Sequence, residues 1–231
     1  MITNAVRAAA SLLLFIVLIS CQGKGLPGDH YFAGLNHAVK GELEKAEKKF
    51  MRALSIDGTH QQSSESLGVV RDSLKGDIDS EAVVHFFMGI MLANEGRFEG
   101  AAAEYTRALD MFSRFASAYY ERGISLAVMG QYKEAIEDFT KVIELKPGDA
   151  AAYNNRGLAY GKGISDLERA IADFTSAVTL DPEFAEAYEN RGIAYRMMNN
   201  EKSRACADWE TACTLGACKS AEIAKKAGFC R

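Results

Sequence analysis

The sequence predicts an all-α protein in which helical hairpins stack into a solenoid, and three observations support this prediction. Alanine, leucine, glutamate and lysine, all strong helix formers, make up more than a third of the 231 residues. Only 3 residues are proline, which leaves little room for the turns of an all-β sandwich. A glycine recurs about every 34 residues from Gly89 to Gly192, and such a period indicates an internal repeat.

The composition is that of a globular protein. Apolar residues make up 48% of the chain and charged residues 25%, which argues against a disordered tail, a collagen-like repeat or a protein with many membrane spans. The formal net charge is −4. A mildly acidic chain is a poor electrostatic partner for nucleic acid, so we expect no nucleic-acid binding.

Residues 1–20 have the pattern of an export signal. Arg7 is followed by the apolar run LLLFIVLI, which is too short to span a bilayer. The run leads into the tetrapeptide LISC at 18–21, which resembles the lipobox of bacterial lipoproteins. The resemblance implies cleavage before Cys21, lipidation of that cysteine, a short linker over 21–26 and attachment to a bacterial envelope membrane. An ordinary signal peptide with a chance cysteine and an uncleaved anchor are the alternatives.

The rest of the chain repeats one pattern of four positions. The first position is a glycine: Gly34, Gly89, Gly123, Gly157 and Gly192. Twelve or thirteen residues later stands an alanine: Ala46, Ala101, Ala135, Ala170 and Ala205. Four residues further on is an aromatic: Phe50, Tyr105, Phe139, Phe174 and Trp209. A small or β-branched residue follows three positions later: Ala53, Ala108, Val142, Ala177 and Ala212.

This pattern resembles the tetratricopeptide repeat (TPR), most closely over residues 116–149. The resemblance implies that each repeat is a hairpin of two short helices, whose small residues let the backbones approach while the aromatic fills the space beside them. Stacked hairpins bury one continuous core. The implied fold is a right-handed α-solenoid of five TPR hairpins, at 27–60, 82–115, 116–149, 150–184 and 185–216, followed by a capping helix with cysteines within 217–231.

Residues 61–81 interrupt the period between the first two hairpins. The first six residues, QQSSES, are polar, whereas Leu67, Val69, Val70 and Leu74 have the spacing of one helix face. An inserted helix is therefore one interpretation, and a flexible loop is the other.

The last 26 residues contain four cysteines, which suggests disulfides in an exported protein. A zinc site is the rival interpretation, although the spacings contain no CxxC motif. Two of the cysteines occupy positions where earlier repeats have aliphatic residues that face the next hairpin. Antiparallel packing of a final helix about Gly216 favours two pairs among three possibilities: Cys206 with Cys230, and Cys213 with Cys218.

Arginine and aspartate occur together in three repeats and are missing together from the first two. The pairs are Arg122 with Asp138, Arg156 with Asp173, and Arg191 with Asp208. This co-occurrence predicts an ion pair between the two helices of each hairpin, because the arginine fork matches a carboxylate. A basic ladder for an acidic ligand is the alternative.

The TPR resemblance places a ligand groove along the first helix of each hairpin. The groove positions are Tyr31, Leu35, Phe86, Ile90, Tyr120, Ile124, Asn154, Leu158, Glu186 and Glu189. The aliphatic members could instead belong to the core. We expect the aromatics of the first three hairpins to be contact residues and the two glutamates to favour a basic segment of a partner.

Catalysis and metal binding have little support. The four histidines are scattered, and the metal-binding motif HExxH, the nucleophile motif GxSxG and the phosphate-binding motif GxxxxGK[ST] do not occur. His30 and His37, seven residues apart on one predicted helix, are a weak metal signal. We therefore expect a non-enzymatic scaffold for a protein or peptide, with no cofactor and no catalytic residue. The alternative is an enzyme or metal-handling module in the N-terminal part and the insertion.

Overall fold

The computed structural model describes residues 25–198 and 201–230, which form twelve α-helices and no β-strand. The predicted signal and Cys21 lie outside the described residues. None of the described helices is long and apolar enough to cross a membrane. In chain order the helices are α1 (Pro27–Ala38), α2 (Leu43–Ile56), α3 (Gln61–Leu74), α4 (Ser80–Asn94), α5 (Phe98–Met111), α6 (Ala116–Val128), α7 (Tyr132–Leu145), α8 (Ala150–Gly163), α9 (Leu167–Leu180), α10 (Ala185–Met197), α11 (Lys202–Thr214) and α12 (Lys219–Lys226).

Ten of these helices form five consecutive hairpins, which confirms the predicted fold class. The pairs are α1–α2, α4–α5, α6–α7, α8–α9 and α10–α11. From the second hairpin onward, the second helix of each hairpin packs against the first helix of the next, so the array is continuous. Two helices stand outside the pairs: α3 packs on α2, and α12 packs on α11 at the C-terminal end.

The repeated glycines let the two helices of a hairpin approach closely. A Cβ atom added to Gly89 would lie 2.4 Å from Cε1 of Tyr105, and one added to Gly34 would lie 2.4 Å from Cε1 of Phe50. Both rings are completely buried. Because real Cβ atoms do not approach a ring this closely, only glycine fits opposite the aromatic, and this contact explains why the two positions recur together.

Turn residues and N-terminal caps fix the ends of several helices. Gly96 and Gly130 end the first helices of their hairpins with φ angles of 76° and 79°, which glycine adopts without the strain of a Cβ. The side chain of Asp79 accepts hydrogen bonds from the first backbone N–H groups of α4, and Asp149 does the same for α8.

Helix α3 occupies residues that the sequence left open between helix and loop. Its buried face contains Leu67, Val69 and Val70, as expected, but Leu74 is 42% exposed. Ser63 and Ser66 are buried instead. Small side chains at these positions allow α3 to pack closely against its neighbours.

Two disulfides join α11 to the C-terminal segment with the favoured pairing. Cys206 is bonded to Cys230 with a Cα–Cα distance of 5.7 Å, and Cys213 is bonded to Cys218. The same end has a small apolar core in which Trp209 packs with the alanines of α12. The segment therefore covers the last face of the array, as a capping element must.

Candidate functional site

A cavity of about 350 Å³ lies among the first helices of the first three hairpins and the inserted helix. Four of the expected groove residues line it: Tyr31 of α1, Phe86 and Ile90 of α4, and Tyr120 of α6. The remaining walls include Glu65 of α3, Tyr105 of α5, Glu121 of α6, and Lys146 and Asp149 from the loop between α7 and α8.

The aromatic walls are more deeply buried than we expected. Tyr31 is 4% exposed and Phe86 is 3% exposed. Phe86 packs against Phe115 with their ring centroids 4.8 Å apart, and both belong to the core of the N-terminal half. These rings shape the cavity, but they are core residues rather than exposed contact residues, so truncating them would also destabilise the fold.

Tyr120 is only partly buried, unlike the other two aromatics. Its hydroxyl accepts a hydrogen bond of 2.9 Å from Nδ2 of Asn155 on α8. Burial raises the pKa of Tyr120 above its ordinary value, so the hydroxyl stays protonated at neutral pH. The ring thus presents a neutral, amphipathic surface to the cavity.

Two carboxylates from different helices meet at the cavity. Burial and, to a smaller extent, the negative charge of Glu65 together raise the pKa of Glu121 to about 7. Glu65 is exposed, and its Oε1 accepts a hydrogen bond of 2.8 Å from Nε2 of Gln61. Glu121 has no ion-pair partner among the described residues. An uncompensated carboxylate in such surroundings is electrostatically unfavourable.

The hydroxyl of Tyr105 is a second unsatisfied group at the same cavity. Tyr105 has no exposed surface, and within the described residues its hydroxyl has no hydrogen-bond partner. Leaving a buried polar group unpaired typically costs about 1–3 kcal/mol. Three of the other four repeats have phenylalanine at this position, so hairpin packing does not require the hydroxyl.

The other expected groove residues do not line this cavity. Leu35 is 1% exposed and lies in the core, and Asn154 is buried and accepts a hydrogen bond from Asn190. Ile124 and Leu158 are partly buried, and Leu158 packs against the core around Phe174. Glu186 is exposed.

Glu189 is engaged inside the protein. Its carboxylate accepts a hydrogen bond from the hydroxyl of Ser220 on α12, so the capping helix occupies this end of the expected groove. Of the two glutamates expected to favour a basic partner segment, only Glu186 is left exposed to solvent.

The three arginine–aspartate pairs lie between the helices of their hairpins. Each arginine donates two hydrogen bonds, from Nε and Nη2, to both oxygens of one carboxylate at 2.7–2.8 Å: Arg122 to Asp138, Arg156 to Asp173, and Arg191 to Asp208. The hydrogen bond to Asp173 raises the pKa of Arg156. The charge of each guanidinium is therefore balanced by a carboxylate of its own hairpin. These three arginines do not form a row of unpaired positive charges that could bind an acidic ligand.

Each of these arginines also contacts the preceding hairpin. The third nitrogen, Nη1, donates to a threonine hydroxyl at 2.9–3.2 Å: Arg122 to Thr106, Arg156 to Thr140, and Arg191 to Thr175. Each guanidinium also lies over a tyrosine of its own helix at 5.5–5.6 Å: Tyr119, Tyr153 and Tyr188. The arginines thus couple neighbouring hairpins as well as the two helices of one hairpin.

Three of the four histidines, His37, His60 and His85, make structural contacts. Nδ1 of His85 lies 2.6 Å from Oε2 of Glu104, which stands at the aspartate position of the second hairpin. His37 contacts Glu42 in the same way, and the side chain of His60 accepts a hydrogen bond at the start of α3. Across 25–198 and 201–230, no three histidine, cysteine, aspartate or glutamate side chains form a group that could hold a metal ion.

Three groups of functional interest were missed from the sequence. Glu121 had a detectable signal, since the first two repeats have Phe32 and Phe87 at its position. The hydroxyl of Tyr105 also had a signal, because Tyr105 is the one tyrosine among the five aromatics that recur in the repeats. The participation of Glu65 could not have been found, because it depends on how α3 packs.

Two segments match the family described as tetratricopeptide repeat: residues 116–149 and residues 150–184. The chain therefore carries TPR units, in two of the five hairpins. No curated protein sequence matches this chain.

Several solved structures share the fold. A fragment of MamA from Desulfovibrio magneticus RS-1 is 23% identical over 85% of this chain and 99% of its own, with a TM-score of 0.58. YrrB, described as a TPR protein with an unusual peptide-binding site, is 20% identical over 85% of this chain and 90% of its own, with a TM-score of 0.58. The first TPR of Spaghetti (RPAP3), bound to the HSP90 peptide SRMEEVD, is 21% identical over 52% of this chain and 95% of its own, with a TM-score of 0.50.

Proposed function

Because the chain carries TPR units within a continuous array of hairpins, we propose that it is a non-enzymatic scaffold that binds a segment of a partner protein. The segment enters the cavity among α1, α3, α4 and α6. The main support for this proposal is the cavity, which combines buried aromatic walls with polar and charged side chains.

The size of the cavity bears on what it accommodates. At about 350 Å³ it is at the lower end of the range for ligand pockets, which suits one or two side chains rather than a whole folded domain. YrrB and the first TPR of Spaghetti (RPAP3), two proteins with a similar fold, are described with a peptide-binding site and with a bound peptide. Both considerations favour a peptide segment as the ligand.

We further propose that the protein is held at a bacterial envelope membrane by lipid on Cys21. The support is the sequence at 18–21 and the short apolar run before it. Several acyl chains on one residue suffice for stable attachment. The binding surface would then act near a membrane, and the partner would belong to the same envelope.

Filling the cavity tests the binding proposal. A partner is first recovered from envelopes by cross-linking to the full chain, and its affinity is then measured with purified proteins. Ser117 lines the cavity and is partly buried, so Ser117→Trp should weaken binding by about tenfold or more. Ser203 is exposed on α11 and gives the matched control Ser203→Trp, which should leave the affinity unchanged. Equal affinity of the Ser117→Trp variant and the parent would place the binding surface elsewhere.

Substitution of the lipidated cysteine tests the anchor. Cys21→Ala should give an unprocessed precursor without lipid, which mass spectrometry of the purified chain detects. If the variant is still matured and partitions into detergent like the parent, the lipobox interpretation is wrong.

A further inference from the structure

We propose that the cavity receives a basic side chain of the partner, a lysine or an arginine, whose charged end lies against Glu121 and Glu65. This assignment rests on the proposed function and names the chemistry of its ligand. It differs from the expectation drawn from the sequence, which placed the basic segment at Glu186 and Glu189.

The charges around the cavity favour a cation. Three carboxylates line it, those of Glu65, Glu121 and Asp149, against one lysine, Lys146. Asp149 already caps α8 by accepting a hydrogen bond from the backbone of Ala152. Glu121 has no cationic partner among the described residues, and burial together with the negative charge of Glu65 raises its pKa. A bound ammonium or guanidinium would supply the missing charge.

The unpaired hydroxyl of Tyr105 is an independent observation that points to a ligand. It is fully buried, its residue lines the cavity, and it has no hydrogen-bond partner among the described residues. An ammonium or guanidinium N–H could donate to its oxygen while also pairing with Glu121. One ligand group would therefore satisfy both of the unsatisfied polar groups at the cavity.

The remaining walls suit the stem of a basic side chain. Tyr31, Phe86 and Ile90 provide apolar surface for the methylene groups, which lysine and arginine readily bury. The ring of Tyr120, which is only partly buried, can add cation–π attraction at the charged end. An acidic ligand would instead meet uncompensated carboxylates, so charge complementarity selects the basic one.

The site depends on the inserted helix and is confined to one place in the array. Glu65 comes from α3, which has no counterpart in the other repeats. At the position of Glu121, the next two hairpins have Asn155 and Asn190, whose amide groups donate to Tyr120 and Asn154. Neutral, internally paired amides do not attract a cation as Glu121 does.

Two blocked amino acids, N-acetyl-lysine methylamide and N-acetyl-norleucine methylamide, test the assignment directly. Both have the same four-carbon side chain, and only the lysine compound carries a terminal ammonium group. Binding to the full chain is followed by NMR chemical shifts at constant ionic strength. We expect the lysine compound to bind about tenfold more tightly than the norleucine compound, the effect of one charge-assisted hydrogen bond.

Three variants locate the effect. Glu121→Gln should reduce the preference for lysine to about twofold or less, and Tyr105→Phe should weaken lysine binding by about threefold. Tyr105→Phe should fold at least as stably as the parent, because phenylalanine occupies this position in three other repeats. Glu186 is exposed and lies at the C-terminal end of the expected groove, so Glu186→Gln should leave the preference for lysine unchanged.

The outcomes separate this assignment from the proposed function. If lysine and norleucine bind equally or not at all while Ser117→Trp still weakens partner binding, the cation assignment is wrong and the proposed function stands. If the preference is lost in Glu186→Gln rather than Glu121→Gln, the basic segment binds at the other end. If Ser117→Trp leaves partner binding intact, the proposed function fails and this assignment fails with it.

Discussion

The ionisation of Glu121 links stability to binding at the residue scale. The pKa of Glu121 is about 7 in the folded protein, against 4.5 for an ordinary glutamate in the unfolded chain. As the pH rises, the unfolded chain therefore loses this proton first. Between pH 4.5 and pH 7 the folded state therefore binds more protons than the unfolded state, and the free energy of unfolding falls as the pH rises. A group that opposes folding in this way is often retained because it serves a ligand.

The first prediction follows from this fall in the free energy of unfolding with rising pH. Glu121→Gln should leave stability nearly unchanged at pH 4, where the carboxyl group is neutral in both states. At pH 8 the variant should be more stable than the parent by on the order of 1–3 kcal/mol. Urea unfolding at both pH values measures the difference. Glu186→Gln is the control, and its effect should stay within about 0.5 kcal/mol at both pH values. An equal effect of Glu121→Gln at pH 4 and pH 8 would contradict the assigned ionisation.

Arg156 shows how one side chain can contact three others. It pairs with both oxygens of Asp173, donates to Thr140 of the preceding hairpin and lies over Tyr153. The side chain of Asp173 is 8% exposed, so loss of the arginine would leave a carboxylate that is nearly buried and unpaired.

The second prediction concerns this pair. Arg156→Met should destabilise the protein by about 2–4 kcal/mol, because the partner charge becomes uncompensated. Replacing both residues, with Arg156→Met and Asp173→Leu, should recover part of the loss. Arg169 provides a matched control, since it pairs with Asp166 and lies over Tyr160 but is 64% exposed. Arg169→Met should change stability by less than about 1 kcal/mol. Chemical denaturation distinguishes the cases, and equal losses in the two single variants would argue against a structural role for the buried pair.

At the scale of the element, the contact between the repeated glycine and the repeated aromatic of a hairpin limits how closely its two helices pack. The ring of Tyr105 has no exposed surface, so it cannot move away from a larger neighbour at position 89. Helix propensity opposes this requirement, because glycine is about 1 kcal/mol worse than alanine in a helix interior. The packing contact has to outweigh that preference.

The third prediction compares two glycines within helices. Gly89→Ala places a Cβ atom 2.4 Å from the Tyr105 ring and should destabilise the protein by about 1–3 kcal/mol. Gly68→Ala, on α3, meets no atom within 4 Å and should stabilise it by up to about 1 kcal/mol. Thermal unfolding monitored by circular dichroism reports both changes. A stabilising Gly89→Ala would mean that the hairpin can widen without loss.

The hairpins could be predicted from the sequence because glycine and aromatic residues recur in pairs that only one packing geometry requires. The buried face of α3 was predicted only in part, since Ser63 and Ser66 look like surface residues in a sequence. Their burial depends on how closely α3 packs against neighbouring helices, and residue type does not reveal that distance. Leu74 shows the reverse case, an apolar residue left exposed at the end of the helix.

The site was less predictable than the hairpins, for a related reason. The repeat pattern identified Tyr31, Phe86 and Tyr120 as one surface, and they do line one cavity. Their burial depends on contacts between helices, such as that between Phe86 and Phe115, which the position within a repeat does not specify. The threonine contacts of the arginines join neighbouring hairpins, so a pattern sought within single repeats does not reveal them.

The two ends of the molecule are built differently. One large apolar core, from Tyr31 to Ala118, joins the first two hairpins, the inserted helix and the start of the third hairpin. The C-terminal half has smaller apolar clusters, the arginine contacts between hairpins and two disulfides. The cavity lies in the half with the large core, where rigid surroundings hold its walls in place. In an array whose hairpins contact only their neighbours, stability is set locally, so the two halves should respond separately to a local change.

The fourth prediction tests this separation through the disulfides. Reduction should increase amide hydrogen exchange in α11 and α12, because the Cys206–Cys230 bond closes a loop with a sequence separation of 24. The expected loss of stability there is about 2–4 kcal/mol, with a smaller share from Cys213–Cys218, whose separation is 5. Exchange in α4 and α5 should not change, because five helices, α6 to α10, separate them from α11. Serine variants of each disulfide pair, measured by hydrogen-exchange mass spectrometry, give the matched comparison. A uniform increase across all helices would show that the array unfolds as one cooperative unit, and the cavity would then depend on the C-terminal disulfides as much as on its own core.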